Sequence, residues 1–212
     1  QRARVFNLLN SADMVAVLSL KSQFMGEVLD LSEKGGLRIP ELFCDCTSGD
    51  DMELNYQMLD TMRRKGASGS SSIKLLSINE SEVMLFEMLL RRESEREKIV
   101  DASREKGRLI AELDKAGISA EKEEDIKRRI ENAEEFAFGG RMGNPFEAAR
   151  VLYEKTGVPL LIHTHEGACI IGGNKSTNFV PSVQIDFPAG SSFVGAGDTL
   201  CGALALALAV KQ

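Results

Sequence analysis

The 212-residue chain has no tryptophan, two tyrosines and two histidines. With so little imidazole, a histidine-rich zinc centre is excluded. The four cysteines, Cys44, Cys46, Cys169 and Cys201, form no CxxC and no paired spacing of the zinc type. Cys44-Asp45-Cys46 lies in an apolar, strand-like run with no second pair elsewhere, which reads as reduced thiols of a cytosolic protein. Positive charge is also short: 26 basic residues against 32 acidic ones give a formal net charge of −6. That balance argues against a nucleic-acid binder or a polybasic membrane binder, which need clustered positive potential. The most apolar run, Leu200 to Val210, is about half the length needed to span a bilayer. The opening residues Gln1-Arg2-Ala3-Arg4 lead into no apolar core of the signal-peptide kind. A soluble, cytoplasmic protein is expected, with neither nucleic acid nor membrane as partner.

What is present is an ordinary globular composition, 43% hydrophobic and 27% charged, and enough chain for one sizeable core. Strand-like and helix-like segments alternate, the pattern of a parallel sheet covered by helices. Strands are predicted over Ala12–Leu20, Glu41–Cys46, Ile73–Ile78, Val158–Thr164 and Gly167–Ile171. Helices are predicted over Phe24–Lys34, Asp51–Lys65, Glu80–Leu90 and Pro145–Thr156, with a last one after Gly197. Asn144 before Pro145 is a helix start signal, and Gly35-Gly36 a helix stop.

Residues 91–135 break this rhythm. They are dense in Glu, Lys and Arg, with apolar residues at Ile99, Leu109, Ile110, Leu113, Ile126 and Ile130. The pattern predicts a solvated helical hairpin turning at Gly117 to Ser119, inserted in a single α/β domain over residues 1–212. A glycine-rich loop follows from Phe138 to Gly143.

The segment that carries chemistry is Val194-Gly195-Ala196-Gly197-Asp198-Thr199, placed between a polar loop and the apolar run from Leu200. Glycines let backbone approach a phosphate, and the free N–H groups and dipole of a following helix favour the anion. An aspartate at that terminus is kept ionised by the same field and can accept a proton from a hydroxyl. Thr199 can cap the helix or touch a phosphate. The plainer reading is a glycine turn with Asp198 as N-cap.

The whole string GAGDTLCGALALALA resembles the C-terminal signature of the ribokinase, or phosphofructokinase-B-type, carbohydrate kinases. The resemblance implies a ribokinase-like, doubly wound, mostly parallel sheet with helices on both faces. It also implies an anion hole for the transferring phosphoryl group at Gly195, Ala196, Gly197 and Thr199, with Asp198 as the base that deprotonates the acceptor hydroxyl. Asn79-Glu80-Ser81-Glu82 is similar to the family's Asn-x-x-Glu motif, which gives Glu82, with Asn79 beside it, a role in organising Mg2+ through water. Read from the residues alone, the same four are an Asn N-cap with first-turn acids.

Val158-Pro159-Leu160-Leu161-Ile162-His163-Thr164 resembles the strand bearing a His-Thr pair in the ADP-dependent glucokinases and phosphofructokinases, a branch of the same superfamily. That likeness implies His163 and Thr164 at the nucleotide, whereas the string from Gly195 to Ala203 is closer to ATP-using members, so the donor, ATP or ADP, stays open. His163 and His165 alternate on a strand end and read equally as hydrogen-bonded edge residues. Asp45 closes a strand, where open α/β sheets place ligands, and reads equally as a site residue or a turn cap.

Family members carry a substantial N-terminal lid and sugar-binding region and further C-terminal helices, so the sequence is expected to be part of a longer pattern. Two functions follow: a Mg2+-dependent kinase acting on a hydroxyl of a sugar, sugar phosphate or nucleoside, or a non-catalytic nucleotide-binding remnant of one.

Overall fold

The computed structural model describes residues 15–17, 42–45, 49–67, 73–114, 118–140, 143–164, 166–172 and 179–181, together with position 203. At its centre is strand β3, Ile73–Asn79. Successive side chains on a strand point to opposite faces, so Leu75 and Ser77 face one way and Leu76 and Ile78 the other. All four are buried. Both faces of this strand are therefore covered, as in a sheet with layers on either side. Strand β4, Leu160–His163, repeats the pattern with Leu160, Leu161 and Ile162 all buried.

Strands β1 (Val15–Val17) and β2 (Leu42–Asp45) join β3 and β4 in parallel and in chain order. Strands β5 (Gly167–Ile171) and β6 (Phe179–Pro181) continue the sheet antiparallel, each to the strand before it. Strand β6 has no counterpart among the predicted elements. It crosses so close to Gly167 that a Cβ there would collide with the Val180 carbonyl and the Phe179 ring.

Helix α1, Met52–Ala67, connects β2 to β3. Asp51 starts it, its Oδ1 accepting from the backbone N–H groups of Glu53 and Leu54 at 3.0 and 3.2 Å. Met52, Tyr56, Leu59 and Met62 recur at helical spacing and are buried. Helix α2, Glu80–Arg91, follows β3 directly and buries Val83, Leu85, Phe86, Met88 and Leu89. Because parallel crossovers are right-handed and the strands run in chain order, the helices of successive crossovers share one face of the sheet. Among the described residues the strand order shows no reversal. The fold is mixed α/β.

Between β3 and β4 the chain also builds helix α3 (Arg96–Leu113), after a 3-10 turn at Glu93–Glu95, and helices α4 (Ala120–Phe138) and α5 (Pro145–Thr156). Helix α5 has the predicted signals at both ends. The Asn144 side chain accepts from Phe146 and Glu147, Pro145 occupies the first turn, and Gly157 closes the helix at φ 69°. That left-handed conformation is the one glycine adopts without a Cβ penalty. Ala148 and Ala149 let α5 approach α2 within the common core.

Helices α3 and α4 pack together as the expected hairpin. Ile99, Leu109, Ile126 and Ala137 are buried, each large side chain contributing about 1.5–3 kcal/mol. Ser119 caps α4 at the predicted turn. The second helix outlasts the expected insertion by three residues, ending at Phe138, so the glycine-rich loop opens at Gly139. Arg92 holds the base of the hairpin closed: its Nη1 donates to the Phe136 carbonyl at 2.7 Å and its guanidinium lies 4.9 Å from the Phe136 ring centroid. Arg91 donates to the carbonyl of Gly140. The hairpin is not wholly solvated, because α3 lies along α1 through ion pairs Arg96–Asp60, at 2.8 Å, and Arg104–Glu53.

Candidate functional site at the carboxyl edge of the parallel strands

Parallel strands β2, β3 and β4 end on one edge, at Asp45, Asn79 and His163. In open α/β sheets this carboxyl edge is where ligands bind. Register sets the spacing along it. Asn79 is the direct partner of His163 across β3 and β4, while Asp45 pairs with Ser77, one pleat back from Asn79. With strands about 4.8 Å apart, Asp45 and His163 sit about 10 Å apart along the edge. Asn79, Glu82, His163 and Thr164, separated in the sequence by the whole insertion, are thus brought together.

Glu82 sits in the first turn of α2, 6% exposed. Its Oε2 accepts from the backbone N–H of Asn79 at 2.9 Å, and the Asn79 side chain accepts in return from the Glu82 N–H at 2.9 Å. This reciprocal capping box satisfies two of the orphan donors of the helix start. It also pins both side chains at the edge of the sheet. With Glu80 added, the positive end of α2 is answered by carboxylates rather than left open for an anion.

Thr164 follows β4 and shapes the β4–β5 turn. Its backbone N–H donates to the Gly167 carbonyl at 2.8 Å, and its Oγ1 accepts from the Glu166 N–H at 3.1 Å. His163 is half-buried and stands opposite Ala168 on β5. Gly195, Ala196, Gly197, Asp198 and Thr199 lie outside the described residues, as do His165, Cys46 and Cys201. Cys169 is a buried free thiol on β5, and burial pushes its pKa up, as expected of a strand-borne structural cysteine.

The donors at the edge suit a hard cation only in a particular way. Glu82 and Asn79 offer oxygen, the ligand magnesium prefers. Among the described residues, however, no group of three or more His, Cys, Asp or Glu side chains could hold a metal by itself. These donors do not make an all-protein cage for a metal.

Two residues that sequence reasoning passed over shape the same edge. Asn55, 1% exposed, brackets the loop after β2, its Nδ2 donating to the Gly49 carbonyl at 2.8 Å and its Oδ1 accepting from the Gly49 N–H at 3.4 Å. Ser103, on α3, reaches the neighbouring residue from the insertion, donating from Oγ to the Asp50 carbonyl at 2.6 Å. Neither has a local sequence signal, because both act on segments that only the tertiary fold brings near.

No protein-family model, curated protein or solved structure matches the chain. No helix among the described residues is long and apolar enough to cross a membrane.

Proposed function

We propose that the chain is the nucleotide-binding, catalytic part of a ribokinase-like small-molecule kinase. It would transfer a phosphoryl group from ATP or ADP to a hydroxyl of a sugar, sugar phosphate or nucleoside. The observation that carries this reading is the pairing of Asn79 with His163. Two motifs that both resemble the superfamily meet at the carboxyl ends of adjacent parallel strands, where open α/β sheets bind ligands. Burial of β3 and β4 on both faces supports a sheet covered on two sides, although the described strand order has no reversal of the kind a doubly wound sheet carries.

In this reading Asp198 takes the proton of the acceptor hydroxyl. The hydroxyl oxygen then attacks the terminal phosphorus, and the bond to the leaving phosphate oxygen breaks with its electron pair going to the nucleotide. The N–H groups of Gly195 to Gly197 and Thr199 stabilise charge on the transferring group, the main source of rate in phosphoryl transfer. Magnesium, when bound, neutralises phosphate charge. Glu82, held by Asn79, would orient water bound to it, and His163 and Thr164 would line the nucleotide.

A second reading, a non-catalytic nucleotide-binding remnant, draws on the capping box, which accounts for Asn79 and Glu82 by helix capping alone. Replacement Asp198→Asn separates the two. The kinase loses turnover by about three orders of magnitude or more while keeping nucleotide affinity, as expected when an interaction made only in the transition state is removed. Absence of turnover in the unaltered chain, with nucleotide still bound, establishes the remnant instead.

A further inference from the structure

Strand parity divides the sheet into two faces that are covered differently. Leu76, Ile78, Leu160 and Ile162 share one face and join α1, α2 and α5 in the common core. Leu75, Ser77 and Leu161 point the other way, Ser77 and Leu161 as direct register partners. These three are 5%, 0% and 4% exposed, yet Leu75 and Leu161 stand outside that core. The crossover helices lie on the first face, and the hairpin docks on α1. The second face is thus buried by something other than the described helices.

That cover is narrow. Ile170, the register partner of Leu161 on β5, is 44% exposed, and Val180 on β6 is 64% exposed. The shield over Leu75 and Leu161 therefore follows β3 and β4 and stops short of β5 and β6, a width of about one helix.

Sequence and topology say which segment supplies it. Residues 18–41 connect neighbouring parallel strands, and a right-handed crossover carries them over the first face. Of the other long segments outside the described residues, 1–14 and 182–212, only the second contains a long apolar run, Leu200–Val210. One residue of that run is described: Ala203 is helical and exposed. With Ala203 outward, helical spacing turns Cys201, Ala205 and Leu208 inward. Strand β6 runs parallel to β4, being antiparallel to β5, so the chain leaves Pro181 at the carboxyl edge. Eleven helical residues starting there cover about 16 Å, enough to reach from Asn79 back to Leu75, about 13 Å away.

We infer that Leu200–Val210 is the helix that covers the second face of the sheet along β3 and β4, entering from the carboxyl edge. Its start brings Asp198 and the glycines before it to the edge where Asn79 and His163 stand. The packing rests on burial and topology, whereas its consequence for catalysis rests on the kinase reading.

The test puts a thiol on the second face with Leu161→Cys and follows its alkylation by iodoacetamide with peptide mass spectrometry. Buried Cys169, on the first face, is the internal control. In this background Leu208→Asp should speed alkylation at position 161 about tenfold or more and leave Cys169 unchanged, because the opening is confined to one face. Leu208→Ala, a milder change, should act in the same direction and replaces Leu208→Asp if that chain does not fold. Phe6→Asp should leave both thiols unchanged. With Leu161 restored, Leu208→Ala should lower turnover about tenfold, measured with Mg–ATP and Mg–ADP and with glucose, fructose 6-phosphate and adenosine as acceptor probes. Unchanged alkylation at position 161 in the Leu208 variants overturns the packing whatever the activity, and so does exposure by Phe6→Asp instead. Faster alkylation with unchanged turnover overturns the placement of Asp198 at the edge. An unaltered chain that turns over no probe overturns the kinase reading and the catalytic consequence together, while alkylation still decides the packing.

Discussion

Asn79 and His163 end adjacent parallel strands as direct register partners, although the complete α3–α4 hairpin and α5 intervene between them in the chain. Asn79 is simultaneously the last residue of β3 and the N-cap of α2. Strand and helix therefore join with no loop between, and nothing in the joint is free to slide. Asn79 and Glu82 are thereby fixed by backbone geometry rather than carried on a loop.

The capping box separates structure from chemistry at Glu82. Asn79→Ala removes the side-chain acceptor for the Glu82 N–H and should cost about 1 kcal/mol of stability. Glu82→Gln keeps an oxygen for the Asn79 N–H, since either residue serves at this position of the box, and should cost less than about half as much. Denaturant unfolding of both variants checks the ranking. A Glu82→Gln chain less stable than Asn79→Ala would contradict it.

Tyr56 supplies a prediction in alkali. Its side chain is fully buried, its hydroxyl finds no hydrogen-bond partner among the described residues, and the Arg96 guanidinium lies over its ring at 4.7 Å. Burial, with Glu93 adding to it, pushes the phenol up to about 12 from the usual 10. A raised pKa means that the folded state holds its proton more tightly, so this contribution is present below pH 10 and lost as pH rises from 10 toward 12. Tyr56→Phe removes both the unsatisfied hydroxyl and the titration. It should match or exceed the unaltered chain by up to about 1 kcal/mol at pH 7. Its advantage should widen by roughly 2 kcal/mol between pH 10 and 12. Unfolding curves at the three pH values decide, and a constant difference would contradict the assignment.

Arg92 clips the insertion at its base. Arg92→Ala removes the bond to the Phe136 carbonyl and the contact with its ring, which should cost about 1–3 kcal/mol. The loss should be local: exchange in α3 and α4 quickens while β3 and β4 stay protected, because stability is not uniform across a structure. A uniform rise in exchange across the chain would show instead that the hairpin and the sheet unfold together.

Much of the architecture was legible because its signals are local. Asn144-Pro145 and Gly157 carry the start and stop of α5 in side-chain and backbone chemistry, and the largely apolar β3 and the apolar β4 announce buried strands. The hairpin was legible from its charge density and its few apolar positions. Strand β6 was not, since all three of its residues are exposed and it exists only by pairing with β5. The docking of Ser103 on the β2–α1 loop was equally hidden, because a serine on a charged helix face has no periodicity to give it away. At the candidate site, family likeness pointed to Asn79, Glu82 and His163, but only register places Asn79 beside His163. The expectation for residues 195–199 rests on glycine spacing and family likeness, and those residues lie outside the described part of the structure.

The central claim is that this edge holds a magnesium nucleotide through Glu82. Calorimetric titration of the folded chain and of Glu82→Gln with ATP and ADP, each with and without Mg2+, tests it most directly. The account predicts that one nucleotide binds with a clear magnesium dependence, and that Glu82→Gln weakens binding about tenfold or more only when magnesium is present. Absence of binding by either nucleotide, or equal affinity in Glu82→Gln, would contradict it.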